Sequence, residues 1–115
     1  MKIKKLTGIT EEELYKKFPW LKEAEFEEAE IKVEGDLLVW ERGLWERGLW
    51  EGGVWKDGLW EDGTWEGGTW KDGTWEDGLW EFGKWEGGTW KDGTWEYGFW
   101  KGGVWKDGTW EDGLR

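Results

Sequence analysis

The sequence predicts an all-β chain: a quadrilateral β-solenoid with a tryptophan-ladder core and a short N-terminal helical cap. Three observations carry this. Of sixteen tryptophans, all but Trp20 stand five residues apart, from Trp40 to Trp110. From Trp45 on, glycine stands two residues before every one of them. The residue after each is always Glu or Lys. Residues 1–39 read as the cap and residues 40–115 as fifteen Trp-x-x-Gly-x pentads.

Taken in order, Met1 to Leu6 reads as a short strand. A helix follows over about residues 10–18. Thr10-Glu11-Glu12-Glu13 has the capping-box pattern, in which the Thr10 hydroxyl accepts from the Glu13 backbone and the Glu13 carboxylate reaches back. Ile9 and Leu14 stand at the positions of a hydrophobic staple. The glutamates suit the positive end of the helix dipole. Pro19 ends the helix by Phe18, and Trp20 and Leu21 continue as a turn or a second short helix. Ala24 to Val33 has two readings. It is either two pentads with small-large pairs Ala24/Phe26 and Ala29/Ile31, or a plain strand that turns through Glu34-Gly35-Asp36 into Leu37 to Glu41. Ile31 and Trp40 are nine residues apart, so a turn or bulge near Gly35 must shift the phase.

A period of five demands a repeat architecture. Asp-Gly and Gly-Gly are hairpin signals, and Trp-Lys-Asp-Gly-Thr-Trp resembles designed tryptophan-zipper hairpins. An antiparallel meander nevertheless fails on parity. Thr74 would have to bond backward to Lys71 and Glu76 forward to Leu79, yet residues two apart on a strand direct their N–H and C=O to the same side. Equivalent pentads imply equivalent corners, and equivalent corners imply a solenoid. The pleat then makes Thr-Trp-Glu either out-in-out or in-out-in. The second choice buries the ten Glu and five Lys that follow the tryptophans, at prohibitive desolvation cost. The indoles therefore point inward, and the glycines permit positive φ at the corners.

The number of faces is tested on the outward columns. Four faces stack residues twenty apart, giving Val39, Leu59, Leu79, Phe99 on one face and Leu49, Thr69, Thr89, Thr109 on another. Three faces produce an unbroken ladder of Glu51, Glu66, Glu81, Glu96 and Glu111, which repels itself. Four faces are expected, with five as the alternative. A continuous indole core implies unusual heat stability.

The alternation of a large central residue with a small one two before it resembles the pentapeptide-repeat family, whose units run Ala, Asp or Asn, Leu or Phe, then two variable residues. Here Trp stands for Leu or Phe and Gly for Ala, while Thr, Leu or Val replaces the Asp or Asn. The resemblance implies a right-handed solenoid. The Trp-x-x-Gly array is also similar to arrays in predicted proteins of tailed phages. Trp-Lys-Asp-Gly resembles a fragment of membrane-occupation-and-recognition-nexus repeats, although the longer unit of that family is absent.

Composition narrows the chemistry. The net charge is −11, with neither cysteine nor histidine. Acidity in both cap and repeats disfavours a nucleic-acid partner. Without His the commonest general base and metal ligand are missing, and without Cys there is no disulfide framework and no thiolate metal site. No apolar run approaches the length of a membrane span, no signal peptide is evident, and a cytoplasmic protein is expected. The carboxylates repeat along outward columns with no singular residue among them, which is a solvated surface and not an acid/base pair. Asp72, Asp92 and Asp112 would stack in a four-faced coil but lack the varied oxygen ligands of a calcium loop. No catalytic, cofactor-binding or metal-binding residue is expected, and no cofactor. The expected role is structural or protein-interacting. The expected partner is a second copy, joined through the C-terminal coil, with Phe82, Tyr97, Phe99, Trp110 and Leu114 as the possible interface. The alternative is an acidic DNA mimic inhibiting a DNA-binding enzyme such as gyrase, as some pentapeptide-repeat proteins do.

Overall fold

Stacked parallel strands are what the repeat builds. The computed structural model describes residues 2–114. From Leu49–Trp50 to Thr109–Trp110, each strand is a two-residue piece ending in tryptophan. Each pairs in parallel with the strand fifteen residues away: Trp50 with Trp65, Trp65 with Trp80, Trp80 with Trp95. The parity expectation is met, since the indoles of Trp40 through Trp95 are fully buried. Two inter-coil bonds recur in each pentad. Thr74 N–H donates to Gly58 O at 3.0 Å, and Glu76 N–H donates to Trp60 O at 2.7 Å. Residues two apart thus bond in the same direction, as a solenoid requires and a uniform meander forbids.

A fifteen-residue coil has three faces, which corrects the quadrilateral expectation. The reason lies in the core. Successive indoles meet edge to face, with Trp55–Trp60 and Trp60–Trp65 centroids 5.8 and 5.9 Å apart at 72°. Across the same coil, Trp40 and Trp50 lie 6.4 Å apart at 78°. Three indoles therefore close a triangle, and a fourth face would open a void at its centre. Along each face the rings stack nearly parallel, as with Trp60–Trp75 at 4.7 Å and 6°. Both geometries are preferred by aromatic quadrupoles. The glutamate ladder that argued against three faces exists: Glu51, Glu66, Glu96 and Glu111 are exposed, with Glu81 partly so. In water such repulsion costs only tenths of a kcal/mol to about 1 kcal/mol per pair, and ring packing prevails.

The glycines do more than fill less of the core than alanine would. At Gly78, φ is +123°, and an added Cβ would collide with the carbonyl oxygen of Gly63 in the coil beneath. Glycine is needed where backbone approaches backbone. The residue before it is often Asp for a local reason: Asp77 Oδ1 accepts from Gly78 N–H at 2.8 Å. One polar requirement goes unmet. The indole N–H groups of Trp40 through Trp95 have no acceptor. They lie against the corners; Trp75 Nε1 is 3.2 Å from where a Cβ on Gly93 would sit.

The cap supplies the layer beneath the first coil. Strand β1 (Ile3–Thr7) runs parallel to β2 (Glu25–Glu34), which pairs antiparallel with β3 (Leu37–Arg47). The plain-strand reading of residues 24–33 thus holds, and the hairpin turn at Gly35, φ +62°, accounts for the phase shift. The small-large pattern still has a use. Phe26 stacks on Trp45 at 5.9 Å and 9°, Ile31 pairs with Trp40, and Ala29 and Ala24 lie under the corners at Gly43 and Gly48. Glu28, with φ +53°, breaks the register where β2 rounds that corner. Helix α1 (Glu11–Lys17) carries the capping box, with Glu13 N–H donating to Thr10 Oγ1 at 3.2 Å. Pro19 opens α2 (Pro19–Glu23), which sets Trp20 on Trp50 at 5.2 Å. Phe26 thereby extends one of the three indole columns by a stacked ring, Trp20 closes a second edge-on, and Ile31 covers the third.

Candidate functional site

One corner of the solenoid breaks the repeat. Along most corners the residue before glycine is Asp or Gly, serving the turn. At Phe82 and Tyr97 it is aromatic and serves no turn. These two stand fifteen apart, so the three-faced coil stacks them outside the wall, with ring centroids 5.5 Å apart and 8° between planes. They are 55% and 49% exposed, more than any other aromatic among the described residues. Beyond the corner the chain continues through Lys84 and Phe99, which share a column with Thr69, and Leu114 bridges to Phe99. Phe99 N–H donates to Gly83 O, and Leu114 N–H to Gly98 O, each at 2.9 Å.

The result is a shallow groove of about 420 Å³ parallel to the solenoid axis. Phe82 and Tyr97 form one wall, Lys84, Phe99 and Leu114 the other, and the corner glycines the floor. Four residues expected at an interface therefore meet: Phe82, Tyr97, Phe99 and Leu114. Trp110 does not join them. It belongs to the core column, stacked on Trp95 at 4.7 Å and half-buried in the last coil. Thr69 and Lys84 were not anticipated. Their signal was present, since Thr69, Lys84, Phe99 and Leu114 are fifteen apart, but a twenty-residue coil hides it.

The groove separates two unlike surfaces. On the Phe82 side lies the all-glutamate column of Glu51, Glu66, Glu81, Glu96 and Glu111. On the Phe99 side the residues after tryptophan are mixed: Lys71, Glu86 and Lys101. Lys84 Nζ pairs with Glu86 at 3.4 Å along its own strand. The remaining face also mixes signs, and Lys91 pairs with Glu76 of the preceding coil at 3.8 Å. Asp72, Asp92 and Asp112 fall on three different faces, so the stack envisaged for calcium does not form. A second concavity of about 320 Å³, bordered by Phe18, Trp20 and Leu38, is a packing seam between cap and first coil.

The fold and this corner define a class, a three-faced tryptophan-core β-solenoid with an apolar wall groove. Comparison with protein-family models, curated proteins and solved structures gave no match. No helix among the described residues is long and apolar enough to cross a membrane.

Proposed function

We propose that this chain is a non-enzymatic, cytoplasmic solenoid with a structural or protein-interaction role, similar in pattern to pentapeptide-repeat proteins. One observation carries the reading. Phe82 and Tyr97, which depart from the repeat without serving a turn, the core or the cap, line an exposed apolar groove. A solvent-facing aromatic pair costs solubility, and contiguous exposed apolar surface marks interaction sites. Affinity purification from source cells tests this with the wild type and a Phe82→Asp/Tyr97→Asp variant. A protein retained by the first and lost by the second supports the reading, and identical sets overturn it.

Self-association belongs to the same proposal. In the last coil Trp105 and Trp110 are half-buried and Val104 is exposed, whereas the indoles below are sealed. A second copy docked on this coil gives a homodimer. Light scattering at high protein concentration tests it, and a monomer there removes it. The face carrying only glutamate after its tryptophans favours one further reading, an acidic mimic of DNA. Absence of inhibition in a gyrase supercoiling assay at micromolar protein eliminates gyrase as its target.

A further inference from the structure

We infer that the wall groove receives an extended protein segment in which basic residues flank an apolar or aromatic one. This rests on the protein-interaction reading and specifies the partner's chemistry.

The groove presents apolar walls 42–64% exposed, from Phe99 at the lower end to Leu114 at the upper. An apolar side chain seated between Tyr97 and Phe99 removes part of that surface from water. Directly beside the aromatic wall stand Glu81 and Glu96, the chain neighbours of Phe82 and Tyr97 respectively, continued by Glu66 and Glu111 in the same column. No lysine interrupts that column. Arg or Lys on the seated segment meets carboxylates there, and a guanidinium can also lie over the ring face of Tyr97 that is turned away from Phe82. Lys84 lines the opposite wall, and its pairing with Glu86 at 3.4 Å offsets part of its charge.

Charge also disfavours a second copy lying across this groove. A two-fold interface places the same patch of each subunit against the other. With its axis across the groove it would bring Glu81 and Glu96 of one chain toward the same residues of its partner, and like charges juxtaposed at an interface are strongly disfavoured; with its axis along the groove it would set them against the mixed column of Lys71, Glu86 and Lys101. The homodimer proposed above uses the last coil, and this wall stays available to a partner of opposite charge.

The test uses fluorescence anisotropy of a labelled alternating Arg-Leu peptide, with an alternating Ser-Leu peptide of equal length as control. The key variant is Phe82→Asp/Tyr97→Asp. Asp is the residue the chain itself places before corner glycines, as at Asp77, where it bonds the next N–H at 2.8 Å. The variant therefore folds, and an unchanged circular dichroism spectrum verifies this. It also adds negative charge, so attraction by charge alone would make the basic peptide bind more tightly. The groove requires the opposite, a loss of about tenfold or more. Glu81→Gln/Glu96→Gln must weaken binding as well and flatten its salt dependence. Equal or tighter binding by the Asp variant overturns the proposal. So does equal binding of the Ser-Leu peptide, or no binding to wild type at about 100 µM, where even a weak specific site registers. The purification experiment stands apart: a partner lost with Phe82 and Tyr97 but no Arg-Leu binding would keep the interaction role and discard this partner chemistry.

Discussion

Gly67 and Gly68 are adjacent, chemically identical and predicted to respond oppositely to alanine. Gly68 has φ +108°, a conformation that costs an L-residue on the order of 1–3 kcal/mol. Its added Cβ would lie 2.9 Å from Gly53 N and overlap Gly53 O. That oxygen already accepts from Thr69 N–H at 2.9 Å. The methyl must push the two coils apart at this corner, stretching that bond and loosening the indole stack beside it. Overpacking of this kind costs typically 1–3 kcal/mol. Gly68→Ala should therefore lose roughly 2–6 kcal/mol of stability. At Gly67 the added Cβ meets only Glu51 O, at 3.6 Å, an ordinary contact, and φ is not in the left-handed region. Gly67→Ala should be neutral or stabilise by up to about 1 kcal/mol, through loss of unfolded-state freedom. Guanidinium unfolding of the two variants and wild type, followed by circular dichroism, measures both. Midpoints that agree within about 0.5 kcal/mol would refute the claim that coil-to-coil approach, not turn propensity, fixes these glycines.

Three more outcomes follow from the same geometry. The wild-type melting midpoint should lie well above the roughly 45–65 °C of ordinary mesophile domains; a value inside that range would mean that the orphaned indole donors cost more than the stacking returns. Trp75→Leu removes rings stacked at 4.7 Å on Trp60 and 4.8 Å on Trp90, and should cost about 3–5 kcal/mol. Trp110→Leu, in the half-buried last coil, should cost less, and equal losses by denaturant titration would contradict a graded core. Acid should loosen the cap before the coils. Hydrogen bonds from Thr10 hold the Glu13 carboxyl below its usual range, and Lys17 does the same for Asp36, at 2.7 Å. A depressed folded pKa gives stability that is present above the unfolded value, near 4, and is lost as pH falls through the folded one. Hydrogen exchange at low pH should rise in α1 and the Gly35 turn first; earlier exchange in the coils would contradict this.

Much of the architecture was legible because the repeat is nearly free of noise. Hydrogen-bond parity excluded a meander, and burial of Glu and Lys oriented every indole, from Trp40 onward. The capping box at Thr10 was readable because it is local. The cap's hairpin was legible only as one of two options. Phe26 and Ile31 satisfy a pentad and a strand equally, and what separates them is the direction of β2, which no local pattern encodes. Four of the groove residues were recognised singly by their exposure. Their meeting was not, because it depends on the number of residues per coil.

That number is set by the core and not by the surface columns. Outward columns favour four faces only if surface order determines the coil, so that an unbroken glutamate ladder counts against three. The two effects differ greatly in scale. Exposed like charges on neighbouring coils are screened by water and salt to at most about 1 kcal/mol per pair. A void at the centre of a four-faced coil would recur in every layer, and cavities large enough to lose a side chain's contacts cost several kcal/mol each. An inward ring set 5.8 Å from the next at 72° fills a triangle with no remainder. Core volume therefore selects the coil, and the surface accepts the columns that result. The same subordination gives the Phe82–Tyr97 stack its weight. The fold dictates where position fifteen lands but not what occupies it outside the wall. Two aromatic residues there, beside an all-glutamate column, are a feature of the surface that the core did not require.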